Sequence, residues 1–117
     1  MIILDKFVAI MRALGDQNRY HIVASLLQHN YCVGALAKRL GLSESAVSQH
    51  LKVLRNAGVV KGERKGYYTH YSVDRELLKS AASELTALGN LEKLPMECSK
   101  SRGSSHSCSR KEVKQNG

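Results

Sequence analysis

The stretch Gly41–Val60, GLSESAVSQHLKVLRNAGVV, decides the fold. Val47, Leu51 and Leu54 recur at helical spacing and form one apolar stripe. Glu44, Ser45, Ser48, Gln49, Lys52 and Asn56 fall toward the other side. Ser43 is a good N-cap for a helix running from Glu44 to Asn56, and Gly58 closes it. A helix that only fills a core has no need for so many short hydrogen-bonding side chains on its outer face. Either that face is simply wetted, or it reads a polar partner.

The flanking sequence favours the second reading. Just upstream, Val33 to Leu40 reads as a short helix carrying Leu36, Ala37 and Leu40, with Gly41 where a left-handed terminating glycine belongs. The connecting turn is GLS, and Leu42 within it can plug the space between the two helices. A short helix, a glycine turn and a capped helix make a helix-turn-helix. Downstream, VVKGERKGYYTHYSV (Val59–Val73) places β-formers on both sides of Lys65-Gly66. Thr69, Tyr71 and Val73 share one face and Tyr68, His70 and Ser72 the other, which predicts a β-hairpin with a basic tip.

Towards the N-terminus, Leu4, Phe7, Val8, Met11 and Leu14 predict an amphipathic helix that Gly15 ends. Asp16 caps a second helix with Ile22, Val23, Leu26 and Leu27 as its buried stripe, broken near QHNY (Gln28–Tyr31). After the hairpin, Asp74 caps a last helix whose wide apolar face comprises Leu77, Leu78, Ala81, Ala82, Leu85, Leu88 and Leu91. The expected fold is mainly α with a small β-hairpin, a winged helix-turn-helix, over residues 1–94. Residues 95–117, rich in Ser, Lys and Arg, read as a flexible basic tail containing cysteine.

With 117 residues, one Phe and no Trp, the core is small, and dimerisation is a common remedy. The formal charge is +8, unevenly spread. Cys32 to Ser72 holds seven Lys and Arg against two acids, and Leu91 to the end holds six against three. The excess lies on the helix-turn-helix, the hairpin and the tail, which suits a polyanion. No apolar run approaches the roughly 18 residues of a membrane span. Asp5, Lys6 and Arg12 interrupt the apolar N-terminus, so it does not read as an export signal, and a cytoplasmic protein is expected. No paired carboxylates, nucleophile elbow or phosphate-cradling glycine loop suggests an enzyme.

A helix with this outer face suits the major groove of double-stranded DNA. Gln pairs with adenine, Ser with several base edges, and a carboxylate with the cytosine amino group. The N-terminal end usually reads bases, which selects Glu44, Ser45, Ser48 and Gln49. Lys52 and Arg55 then position the helix on phosphates, and Arg64 and Lys65, beside Tyr67, form the wing contact. His50 could touch a phosphate or pack at the core edge. A winged helix that binds RNA or protein is the alternative class.

Three segments together, ALGDQNRYHIVASLL, LAKRLGLSESAVSQHLKVLRNAGVV and GERKGYYTHYSV, resemble the ArsR/SmtB family of small metal-sensing transcriptional repressors. The resemblance covers roughly Phe7 to Leu88. It implies a homodimer built through the first and last helices, seated on operator DNA and released by an inducer. It also implies groove contacts at positions matching Glu44, Ser45, Ser48 and Gln49, the same face that the residues select.

The resemblance leaves the inducer open. One family site uses a Cys-Val-Cys motif, and here Cys32 matches its first cysteine while Gly34 stands at the second. Another uses Asp and His on the last helix, but no histidine lies between Ser72 and Asn90, so a zinc site of that type is rejected. There remain Cys98, His106 and Cys108 in the tail, with Cys32 either a third ligand or a small core residue. Thiolates favour soft ions such as arsenite, cadmium (Cd), lead (Pb) or copper(I). No resident cofactor is required, and such an ion would act as inducer. A thiol redox or persulfide response through Cys32 and a tail cysteine is the alternative, as is an inducer that ignores the cysteines.

Overall fold

The computed structural model describes residues 2–97. Its elements are α1 (Leu4–Leu14), α2 (Gln17–Gln28), α3 (Val33–Leu40), α4 (Glu44–Asn56), β1 (Val60–Lys65), β2 (Tyr68–Val73) and α5 (Arg75–Gly89). This is the winged helix-turn-helix expected from the sequence.

Local chemistry sets the boundaries. Asp16, Ser43 and Asp74 each accept a hydrogen bond from a first-turn backbone N–H, of Arg19, Ala46 and Leu77 respectively. Gly41 (φ 69°) lets the chain reverse after α3, and the Leu42 N–H reaches back to the Ala37 carbonyl. Gly58 (φ 84°) ends α4 in a Schellman motif: Val59 N–H donates to Leu54 O and Gly58 N–H to Arg55 O. Leu54 and Val59, the pair that commonly packs across this motif, are both fully buried. The hairpin pairs Val60 with Val73 through Lys65 with Tyr68, and Gly66 (φ 66°) supplies the left-handed turn residue.

The core joins Ile10 and Ala13 of α1, Ile22, Val23 and Leu26 of α2, Leu36 and Ala37 of α3, and Val47, Leu51 and Leu54 of α4. Val59, Val60 and Ala81 complete it, and Leu42 packs half-buried against it. Among the described residues no helix is long and apolar enough to cross a membrane.

Burial divides the apolar faces of α1 and α5 and settles the place of Cys32. Within the α1 stripe, Phe7 and Leu14 pack half-buried against the core. Ile10 and Ala13 are buried, while Leu4, Val8 and Met11 are exposed. In α1, apolar residues occupy more than one side, and periodicity does not say which side meets the domain. In α5 only Ala81 is buried; Ala82, Leu85 and Leu88 are exposed, and Leu91 lies beyond the helix end. Cys32, finally, is not a core residue: it is exposed and occupies the N-cap of α3 without a side-chain cap bond.

Arg19 ties three helices together. Its Nε donates to Ala13 O at 2.7 Å and its Nη2 to Arg12 O at 3.5 Å, satisfying carbonyls at the C-terminal end of α1. Its Nη1 lies 3.4 Å from Nδ1 of His50 on α4. The bond from the Arg19 backbone N–H, together with the Arg19 charge, holds the Asp16 carboxyl below its ordinary 3.8. A carboxyl held low when folded adds stability that is present above the unfolded value and lost as pH falls through the folded one. Asp16→Asn is therefore expected to flatten the acid limb of the stability curve below pH 3.8, measured by thermal unfolding on either side of that value. An unchanged acid limb would remove Asp16 from the acid response.

Candidate nucleic-acid interface

The interface is built on α4. Val47, Leu51 and Leu54 are fully buried and seat the helix, while Glu44, Ser45, Ser48, Gln49, Lys52 and Arg55 are all exposed on its outer side. Seating and outer face thus come from the same residues whose spacing announced them. Ser43 stays at the helix start, with its hydroxyl on the Ala46 N–H and 3.3 Å from the Ser45 hydroxyl.

Glu44 is exposed, with its carboxylate turned back toward α3. A Cβ at Gly34 would stand 3.3 Å from Glu44 Oε2, so the carboxylate rests on the first turn of α3. A negative charge is favourable at a helix N-terminus, and Cys32 leaves that end without a side-chain cap. Reading a base with Glu44 would cost this contact, whereas Ser48 and Gln49 make no side-chain bond among the described residues.

His50 is half-buried beside Arg19. Of the two roles open to it in the sequence, the structure places it at the edge of the core. At the hairpin tip, Arg64 Nε reaches Gly66 O at 3.4 Å, and Lys65 stands 3.8 Å from Glu63 Oε1. Both are exposed contacts worth little, so either cation can be redirected to a phosphate. Tyr67 is 94% exposed at the tip and meets Tyr68 edge-on.

Cys32 borders a shallow cleft of about 160 Å³ with Asn30, Tyr31, Tyr68, Thr69 and His70. His70 Nε2 lies 3.1 Å from Asn30 Oδ1, clipping the hairpin to the α2–α3 loop. Among the described residues no three His, Cys, Asp or Glu side chains converge as ligands. Cys98, His106 and Cys108 lie outside the described residues. The donor chemistry at Cys32 suits a soft ion, and His70 borders the same cleft.

Sequence reasoning did not single out Ser25 or Arg39. Ser25 is a buried polar side chain whose hydroxyl accepts from Arg39 Nε at 3.2 Å. The available signal was its place three residues after Ile22, on the buried stripe of α2.

The relatives of this chain share both architecture and role. A family model described as the bacterial regulatory protein, arsR family, matches residues 16–61, the span from the α2 cap to the first strand. The transcriptional activator HlyU of Vibrio cholerae is 35% identical over 75 residues, covering 64% of this chain and 69% of the relative. The structure of reduced HlyU from V. cholerae N16961 superposes with a TM-score of 0.59 at 32% identity, over 74% of this chain and 92% of that one. The arsenical resistance operon repressor of Bacillus subtilis is 32% identical, covering 70% of this chain and 79% of the relative. The repressor SmtB of Mycobacterium tuberculosis is 45% identical over 64 residues, or 55% of this chain and 47% of the relative. A seated helix with an exposed hydrogen-bonding face, a basic wing and these relatives converge on one conclusion: the chain belongs to the ArsR family of bacterial regulatory proteins and is a DNA-binding transcription regulator.

Proposed function

We propose that the protein is a homodimeric repressor that holds a palindromic operator through paired α4 helices and leaves it when a thiol-directed inducer engages Cys32. The observation that carries the reading is the division of α4 into a fully buried stripe and an exposed face of Glu44, Ser45, Ser48 and Gln49. Lys52 and Arg55 supply phosphate contacts along the helix, and Arg64 and Lys65 supply them from the wing. The exposed apolar side chains of α1 and α5, among them Val8, Met11, Leu85 and Leu88, supply the dimer seam. A protein that works on operator DNA belongs in the bacterial cytoplasm.

The repressor direction is supported by two relatives named as repressors, although HlyU is named an activator. For the inducer, the first reading is a soft metal or metalloid such as arsenite, Cd or Pb, held by Cys32, Cys98 and Cys108. It draws on a relative named for arsenical resistance. The second reading is thiol redox or persulfide chemistry at Cys32 and a tail cysteine. It draws on the exposed thiol, around which no set of ligands converges among the described residues, and on the relative HlyU, whose structure is of the reduced protein.

The test of DNA reading is Gln49→Ala. It is expected to relax preference at one base of the half-site by ~1–3 kcal/mol, measured against single-base operator variants at fixed salt. An unchanged base preference would remove Gln49 as a reader. The inducer is tested by titrating the reduced protein on labelled operator with arsenite, Cd²⁺ and Pb²⁺, and separately with polysulfide. Release by the ions at micromolar level, lost in Cys32→Ser, supports the first reading. Release by polysulfide alone supports the second. Release unaffected by Cys32→Ser rejects the thiol as sensor.

A further inference from the structure

A cleft of about 530 Å³ opens between α2 and α3. Its polar lining is Asn18, His21, Ser25, Gln28 and Arg39, and no carboxylate borders it. Arg39 is held on two sides. Its Nε donates to the buried Ser25 hydroxyl at 3.2 Å, and its guanidinium carbon lies 5.4 Å from the centre of the Tyr31 ring. Neither of the ion pairs among the described residues involves it. The Nη edges of the fork therefore carry donors without a protein partner among those residues, on a side chain whose orientation is already fixed. A planar fork orientated in advance suits bidentate recognition of phosphate, because little entropy is lost when the ligand arrives.

The position of this fork selects the phosphate. Arg39 lies in the last turn of α3, two residues before the left-handed Gly41 that swings the chain into α4. Four residue steps separate it from Ser43, the α4 cap, so the two Cα atoms are within about 15 Å. Phosphates on one strand of a duplex recur about every 3.4 Å along the axis, so this distance spans only a few of them. Lys38 is exposed beside Arg39 and adds to the local positive charge.

We propose that the α2–α3 cleft takes a backbone phosphodiester of the operator next to the bases facing α4, gripped by Arg39 with the side-chain amide of Gln28 on the same wall. The inference rests on the DNA-binding role and adds a contact outside α4 and the wing. Arg39 is a positioning residue for the duplex: it carries no base preference, and Ser25 and Tyr31 orient it.

The test compares wild type, Arg39→Ala and Arg39→Lys on operator and random duplex over a range of salt. Arg39→Ala is expected to weaken both duplexes by roughly tenfold and to lower the slope of log affinity against log salt by about 0.9. Arg39→Lys keeps the charge but loses the fork and the stack, so it should retain the slope while losing affinity. A purely structural role for Arg39 would lower the melting temperature without changing the slope. Should Arg39→Ala fail to fold, single neutral methylphosphonate linkages placed through the operator decide the matter with wild type and Arg39→Lys. A linkage that weakens wild type but has a smaller effect on Arg39→Lys supports the contact; no such linkage overturns it. An unchanged salt slope in folded Arg39→Ala also overturns it. Inorganic phosphate that shifts the NMR signals of the cleft while no linkage depends on Arg39 overturns it too, in favour of a small-anion site. Equal wild-type affinity for operator and random duplex would instead sink the operator reading, and the slope comparison would still judge Arg39.

Discussion

Leu51→Ala is expected to cost about 2–5 kcal/mol of unfolding free energy and to abolish operator binding near physiological temperature. Leu51 is fully buried at the middle of α4, between Val47 and Leu54, and meets the core opposite the face that carries Ser48 and Gln49. Truncation removes the apolar contacts and leaves a cavity that a helix packed on both flanks cannot close. Small domains typically hold only about 5–15 kcal/mol in total, so a loss of this size is a large part of the whole. The same change at Val53, which is 39% exposed on the same helix, should cost far less. Urea denaturation of the two variants provides the check. Equal midpoints would mean that α4 is not seated by its apolar stripe.

Leu85→Glu is expected to leave the protomer folded but to split the dimer, and with it to lower operator affinity by roughly 10²–10⁴. Leu85 is 46% exposed on α5, and Val8 and Met11 of α1 are exposed as well. A carboxylate there is solvated in a single protomer, so folding should tolerate it. In a paired seam it would be desolvated without a partner, which is costly. Losing the second subunit removes the high effective concentration at which the second half-site is met. Sedimentation velocity and titration of a two-half-site duplex measure the two effects. A dimer that persists, or operator affinity that survives in a monomer, would displace the seam from this face.

The parts of the fold that were legible are those governed by near neighbours. Asp16, Ser43 and Asp74 bond to backbone groups three residues on, and Gly41, Gly58 and Gly66 turn the chain where their spacing said they would. The stripe of α4 was legible for the same reason, because each polar residue on its outer side is balanced by an apolar one within a turn. The failures were relational. Which side of α1 faces inward depends on where α2 and α4 lie, and α1 carries apolar residues on more than one side. Cys32 looked like a core residue because its neighbours are apolar, yet the chain leaves the α2–α3 loop with its thiol outward. The bonds of Arg39 to Ser25 and of Arg19 to His50 were not legible because the partners are 14 and 31 positions apart in the chain. The base-reading roles of Glu44, Ser45, Ser48 and Gln49 stand on exposure and position, and the contact of Glu44 with α3 makes it the reader with most to give up.

The grip of Arg19 has a mechanical consequence. One guanidinium holds the last carbonyls of α1 and lies 3.4 Å from His50 on α4, so it links these two helices. In a dimer seated on α1, a tilt of that helix against its companion would be passed to α4 through this link, like the handle of a pair of tongs moving its jaw. The separation of the two jaws would be fixed by the angle between copies, and a ligand could loosen the grasp on DNA by altering that angle alone, with every protomer keeping its internal shape.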